Sequence, residues 1–229
     1  MRTLVVTPTY NEVDNVRPLI DGLRLAVPGI EVLVVDDGSP DGTAARVRAA
    51  NEELGGVHLL ERAGKQGLAT AYVDGFRWGL EQGVDRIVQM DADLSHAPGD
   101  VPRLLASTSD LALGSRYVPG GGTAGWPLHR ELLSRFGTLY ARLWLGLPQR
   151  DLTGGFKAWQ ADLLERVLQE PIRSDGYAFQ VEMTLRAVRL GASVQELPIV
   201  FTERIAGNSK MSRSIAIEAA RLVPTLRKR

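Results

Sequence analysis

Asp91 and Asp93 stand two apart in the stretch MDADLSH, directly after the largely apolar Ile87–Met90, in which Gln89 is the polar residue. If Arg86 to Met90 is a strand, side chains alternate across the sheet and both carboxylates aim the same way. Two like charges held close repel, and one is pushed toward protonation unless something positive sits between them. A hard divalent cation, magnesium or manganese, is the natural occupant. It prefers oxygen ligands and usually shares them with substrate phosphates. Such an ion cancels the repulsion and neutralises a departing diphosphate. The same residues also suit a helix N-cap or a solvated turn, so the neighbours must decide. There is no H-x-x-H pattern and no cysteine to offer another metal site, and His96 is isolated and reads as a loop residue.

Two further polar clusters follow apolar runs. DDGSPDGT, Asp36 to Thr43, supplies turn formers and a capping residue in Asp41. An acidic residue there can also accept hydrogen bonds from a base or ribose. It is not a phosphate loop, because GxxxxGK[ST] is missing and two carboxylates would repel a phosphate. TPTYNE, Thr7 to Glu12, offers Tyr10 to stack on a base and Glu12 to hold one, or it caps a helix at Asn11. No GxGxxG follows the first run, which disfavours a dinucleotide fold.

The elements that must position these clusters alternate in kind. Thr3–Thr7, Glu31–Asp37, Val57–Glu61, Arg86–Asp91 and Leu111–Ser115 read as buried strands. Val13–Ala26, Asp41–Leu54, Leu68–Gln82 and Pro98–Ser107 carry helical apolar spacing. That order predicts βαβ units and a mostly parallel α/β sheet flanked by helices. Ligands in such sheets bind beyond the carboxyl ends of the strands. All four polar clusters, including GSRY at Gly114 to Tyr117, fall there.

After Tyr117 the pattern changes. Val118–Pro127, with four glycines and two prolines, reads as a flexible connection. His129–Leu147 predicts a long helix, apolar on much of its surface. GGFKAWQ suggests a short strand, Asp162–Gln169 and Phe179–Leu190 helices, and Ser193–Arg204 one alternating strand. Ile215–Arg229 is a helix candidate with a basic end.

The 229 residues suit one domain or one with an appendage. Lys plus Arg and Asp plus Glu are both 27, so no charge bias points to nucleic acid. The absence of cysteine excludes disulfides and fits a cytosolic protein. The N-terminus lacks the apolar stretch and cleavage site of a signal peptide. No run approaches the roughly 18 apolar residues that cross a bilayer.

PTYNE, VVDDGSPDGT, MDADLSH, GSRY, DLTGGF and RIAGNSKM occur in this order between about Thr3 and Met211. Together they resemble inverting family 2 glycosyltransferases of the GT-A fold. Within them the likeness is to dolichol-phosphate or polyprenol-phosphate mannose synthases. The resemblance implies transfer of mannose from GDP-mannose to a polyprenyl monophosphate, with a divalent metal, Mg2+ or Mn2+, as cofactor. It implies that Pro8, Tyr10, Glu12, Val35 and Asp37 line the nucleotide pocket. Asp91 and Asp93 would hold the metal and diphosphate, with the Ala92 backbone near the sugar nucleotide. Some members carry a glutamine two residues after the second aspartate as a further ligand; here Ser95 stands there and reaches the metal only through water. Arg204 and Lys210 would lie on a loop that closes over the diphosphate. Arg116, Arg130 and Ser134 would bind the acceptor phosphate. A lipid acceptor implies a peripheral enzyme at the cytoplasmic face of a membrane, held by the apolar helix, the basic tail or a membrane-anchoring partner subunit. The expected division is a catalytic domain at 1–211 and a tail at 212–229. The alternatives are another hexose on the same lipid, such as glucose from UDP-glucose, a non-catalytic binding subunit, and a nucleotidyltransferase. The last needs a basic, glycine-rich loop where this chain has TPTYNE.

Overall fold

The computed structural model describes residues 1–203 and 223–226. Its order is β1 (Thr3–Thr9), α1 (Val13–Ala26), β2 (Glu31–Asp36), α2 (Thr43–Leu54), β3 (Val57–Glu61), α3 (Leu68–Glu81) and β4 (Arg86–Gln89). A 3-10 turn at Pro98–Asp100, α4 (Val101–Leu105), β5 (Leu111–Ser115), β6 (Gly122–Ala124) and α5 (Leu128–Leu145) follow. The chain continues with β7 (Lys157–Gln160), α6 (Ala161–Val167), α7 (Gly176–Arg189), β8 (Val194–Pro198) and β9 (Val200–Thr202). Seven strands form one sheet in the order β3–β2–β1–β4–β7–β5–β8. Its neighbours pair in parallel except at β7, which runs antiparallel to both β4 and β5.

The continuous apolar runs of β1 and β2 follow from burial on both faces. Leu4, Val6, Leu33 and Val35 pack beneath Tyr72, Phe76 and Phe179 of α3 and α7. Val5, Val32 and Val34 pack on the other face with Val16, Leu19, Val47 and Leu104. Helix α3 lies unusually close to the sheet. A Cβ at Gly75 would sit 2.4 Å from Val6 Cγ1, and one at Gly79 2.8 Å from Leu4 Cδ2. Only glycine permits that approach, and the approach fixes the height of every other α3 side chain above the strands.

Several expectations need correction. β4 ends at Gln89, so Asp91 and Asp93 belong to a turn, and strand alternation does not set their direction. The expected strand Ser193–Arg204 is two strands in different sheets. After Pro198 the chain leaves β5, and β9 pairs with β6. β6 lies inside the segment expected to be a flexible connection; three residues are too few to show alternation. Pro98–Ser107 is a 3-10 turn and a five-residue helix, because prolines stand at the start of each. The expected boundary at 211/212 lies outside the described residues. Of the expected tail helix, residues 223–226 are described, and Val223 is buried with Ala141, Leu147, Leu152, Val181 and Leu185.

Lys157 buries its side-chain nitrogen between the sheet and α7. Its Nζ donates to Gln180 O at 2.9 Å and Thr184 Oγ1 at 3.1 Å. Burial pushes its pKa from 10.5 down to about 7, with Asp151 working the other way. Between these values the unfolded chain binds a proton that the folded chain has released. Stability from this group therefore rises with pH across that window. The stability of the parent relative to Lys157→Met, measured by urea unfolding, is expected to grow from pH 7 to pH 9. A difference that stays flat or falls would show that the lysine keeps its proton in the fold.

Candidate active site

The acidic turn lies just beyond β4. The Asp91 carboxylate accepts a hydrogen bond from Tyr72 Oη at 2.7 Å through Oδ1. Gly155 lies close to the carboxylate, where a Cβ would come 3.3 Å from Oδ2 and 3.6 Å from Oδ1. Burial, and then the Asp91 and Asp93 charges, push the Tyr72 pKa well above its ordinary value, so the phenol remains a donor. Asp93 is buried, and its Oδ1 accepts from Ser95 N at 3.1 Å. That bond closes a tight turn through Leu94, whose φ is +59°. Leucine rarely adopts this left-handed region, and doing so costs on the order of 1 kcal/mol or more. Ala92 is buried and packs in the core, which leaves its backbone for any ligand contact.

The donor set fits a divalent cation. Ser95 is fully buried, and among the described residues its hydroxyl has no hydrogen-bond partner. Asp91 Oδ2 and Asp93 add charged oxygens, the ligand type that magnesium and manganese take. Among the described residues no group of three His, Cys, Asp or Glu side chains gathers for a metal. An ion here would thus rest on two carboxylates and complete its shell from substrate phosphates and water.

The expected nucleotide residues collect at the carboxyl ends of β1 and β2. Pro8 is paired in register with Val35, and Asp37 N donates to Thr9 O at 3.0 Å. Val35 is fully buried beneath α3, so its side chain serves the core. Tyr10 carries Lys65 Nζ over its ring at 4.9 Å. Glu12 accepts from Asn15 Nδ2 at 2.7 Å, and it rather than Asn11 occupies the position before α1. Asp41 accepts from the N–H groups of both Val13 and Thr43, but the N-cap of α2 is Gly42, one residue after the position expected. Asp36 is consumed by the fold, accepting from Thr9 and from Ser39. Asp37 is paired with Arg62 at 2.8 Å, while burial raises its pKa more than that guanidinium lowers it.

The acceptor-side residues converge on one aromatic ring. Arg116 lies with its guanidinium carbon 5.5 Å from the Trp126 ring centre, and Arg130 lies 4.0 Å from it. Arg116 makes a buried two-point pair with Asp151 at 2.7 Å through both Nε and Nη2, and donates to Thr153 Oγ1. Burial opposes the Asp151 charge, but Arg116 outweighs it and holds the carboxyl below its usual range. Arg130 donates to both oxygens of Glu203 at 2.6 and 2.7 Å. Ser134 accepts from Tyr117 Oη at 2.7 Å, which ties α5 to the residue beside Arg116. Arg204 and Lys210 lie outside the described residues.

His96 links the two halves. It lies in a loop, as expected, and is buried there: Phe156 stacks on it at 5.0 Å and Phe201 meets its edge at 5.0 Å. Phe201 in turn meets Trp126 at 5.2 Å. Burial pushes the His96 pKa down; Asp91, Asp93 and Asp151 pull up and Arg116 adds to the fall. The ring therefore lies within the field of both the acidic turn and Arg116. Tyr72, Trp126, Asp151 and Glu203 touch the candidate site residues and were missed by sequence reasoning. Asp151 had a signal, since it opens the DLTGGF motif; the others had none.

A mostly parallel sheet with helices on both faces and a paired-carboxylate turn at its carboxyl edge is the architecture of a GT-A glycosyltransferase. The chain belongs to glycosyl transferase family 2, whose profile matches residues 4–168. It is 51% identical over 223 residues to an undecaprenyl-phosphate mannosyltransferase of Micrococcus luteus, covering 96% of this chain and 91% of that one. It is 46% identical over 222 residues to a polyprenol monophosphomannose synthase of Mycolicibacterium smegmatis, covering 95% and 84%. Its fold matches that of glucosyl-3-phosphoglycerate synthase from Mycobacterium tuberculosis, solved in complex with Mn2+, uridine-diphosphate and glucosyl-3-phosphoglycerate. The TM-score is 0.67 at 22% identity, covering 98% of this chain and 78% of that one.

Proposed function

We propose that this enzyme transfers mannose from GDP-mannose to a polyprenyl monophosphate, with inversion at the anomeric carbon. One observation carries the reading: two arginines share Trp126 at the sheet edge that also bears the acidic turn, with His96 within the field of Asp91, Asp93 and Arg116. An acidic pair suits a metal-bound diphosphate, and arginine suits a phosphate because its fork donates two parallel hydrogen bonds. The names of the two similar mannosyltransferases narrow the sugar and the lipid.

The residues divide the work. Asp91 and Asp93 would hold a magnesium or manganese ion, which supplies charge neutralisation to the departing diphosphate. Arg116 and Arg130 draw in the acceptor phosphate and orient its oxygen toward the anomeric carbon. That oxygen is already anionic near neutral pH, so the attack needs no strong general base. The C1–O bond to the donor diphosphate breaks as the C1–O bond to the acceptor phosphate forms, and GDP leaves with the electron pair.

The proposed setting is a membrane surface. Among the described residues no helix is long and apolar enough to cross a bilayer. Helix α5, however, buries only the small residues Thr138 and Ala141 and exposes Leu132, Leu133, Phe136, Leu139, Leu143 and Trp144. That inverted pattern suits an interfacial helix. Purified protein given a panel of sugar nucleotides and one short polyprenyl phosphate is expected to transfer mannose from GDP-mannose. Preference for UDP-glucose would overturn the donor assignment, and no transfer from any sugar nucleotide would overturn the enzymatic one. Phe136→Ser/Leu143→Ser is expected to lower the fraction of protein that floats with phospholipid vesicles.

A further inference from the structure

We propose that Tyr72 is the positioning residue for Asp91: its hydroxyl fixes Oδ1, so that Oδ2 is the oxygen offered to the cation. The inference rests on the metal reading of the acidic turn and goes beyond it by assigning a role to a helix residue 19 positions earlier. Tyr72 is fully buried, and its only polar atom donates to Asp91 at 2.7 Å. The ring cannot swing away. It stacks on Phe76 at 5.6 Å and 27° and on Phe179 at 5.9 Å and 11°. Gly75, one turn further along α3, lets the helix settle against Val6, which sets the depth from which the hydroxyl reaches. Gly155 leaves the space beside the carboxylate open, since a Cβ there would come 3.3 Å from Oδ2. Asp91 is thus held through Oδ1 by a rigid phenol, while it sits on a turn that no strand pairing holds. A carboxylate on such a turn would otherwise sample several rotamers. Hydrogen bonds from a second layer of residues to metal-binding carboxylates typically change affinity by about 10–100-fold.

The bland alternative is that the Tyr72 hydroxyl merely satisfies itself in the core. The two roles separate by experiment. Mn2+ binding is read from the electron paramagnetic resonance signal of unbound Mn2+, with GDP present, for the parent, Tyr72→Phe and Asp93→Asn. The expected result is an Mn2+ affinity about tenfold weaker in Tyr72→Phe and binding lost in Asp93→Asn. A core role alone would lower stability and leave the Mn2+ affinity of Tyr72→Phe equal to that of the parent, which overturns the positioning role but not the metal reading. A parent that holds no Mn2+ overturns both. If Tyr72→Phe is less stable, the Mn2+-dependent shift of its urea midpoint, in the presence of GDP, reads the affinity instead. A shift titrating at the parent's Mn2+ concentration overturns the proposal.

Discussion

Asp93→Asn is expected to lower mannosyl transfer about a thousandfold with the fold intact. The substitution isolates charge from shape. Asp93 Oδ1 accepts from Ser95 N, and an asparagine carbonyl oxygen can accept the same bond. The turn through Leu94 therefore keeps its closure. What is lost is one of two negative charges that would hold a divalent ion, and with it the neutralisation of the diphosphate as it leaves. Excess chelator should reproduce the loss in the parent, and added Mg2+ or Mn2+ should restore the parent but not the variant. The measurements are initial rates from GDP-mannose to a short polyprenyl phosphate, with thermal unfolding as the control. Full parental activity in excess chelator would remove the metal from the mechanism.

Arg130→Ala is expected to lower the efficiency toward polyprenyl phosphate by roughly two powers of ten, about 2–3 kcal/mol, with donor affinity nearly unchanged. The structure adds a second arm. Arg130 is engaged by both oxygens of Glu203, so an incoming phosphate must compete with a carboxylate already in place. Glu203→Gln removes that competitor's charge and is expected to lower the KM for the acceptor. Arg130→Lys should rescue only in part, since a point charge cannot reproduce a two-point fork over Trp126. Donor affinity by calorimetry and rate against acceptor concentration separate these effects. Normal transfer by Arg130→Ala, or equal rates with a neutral polyprenol, would mean that α5 does not hold the acceptor phosphate.

The alternation of apolar runs and helical spacing was enough to read the α/β class, because β1, β2, β4 and β5 are buried on both faces and α1, α2 and α3 are long; the edge strand β3, expected to be buried, is mostly half-buried, and α4 has only five residues. Asp91 and Asp93 were legible from spacing, since paired carboxylates after a strand are costly without a cation. Their supports were not. Tyr72 sits in α3 among Ala71, Val73 and Phe76, and its spacing reads as core, which its ring indeed joins. Its hydroxyl contact depends on how close α3 lies to the sheet, a fact set by Gly75 meeting Val6 far away in sequence. Arg116 was singled out only through the GSRY motif, and its partner Asp151 lies 35 residues on. Trp126 was hidden in a glycine-rich stretch whose composition suggests flexibility. The break between β8 and β9 was missed because alternation continues across Pro198 and Ile199 while the hydrogen-bond partner changes. Ile199 N still donates to Ser115 O, and Ile199 O already accepts from Gly122.

The outward apolar face of α5 has a kinetic meaning. If the proposed seating on a bilayer through Phe136 and Leu143 holds, the enzyme meets its acceptor in two dimensions. Its rate then follows the mole fraction of acceptor in the lipid surface, rather than the amount per litre of suspension. Diluting the acceptor with inert phospholipid at constant total acceptor should slow transfer, while diluting the whole suspension should matter only until the protein leaves the surface. Two preparations with identical bulk substrate can therefore differ widely in turnover, and a comparison of variants has meaning only at matched surface density.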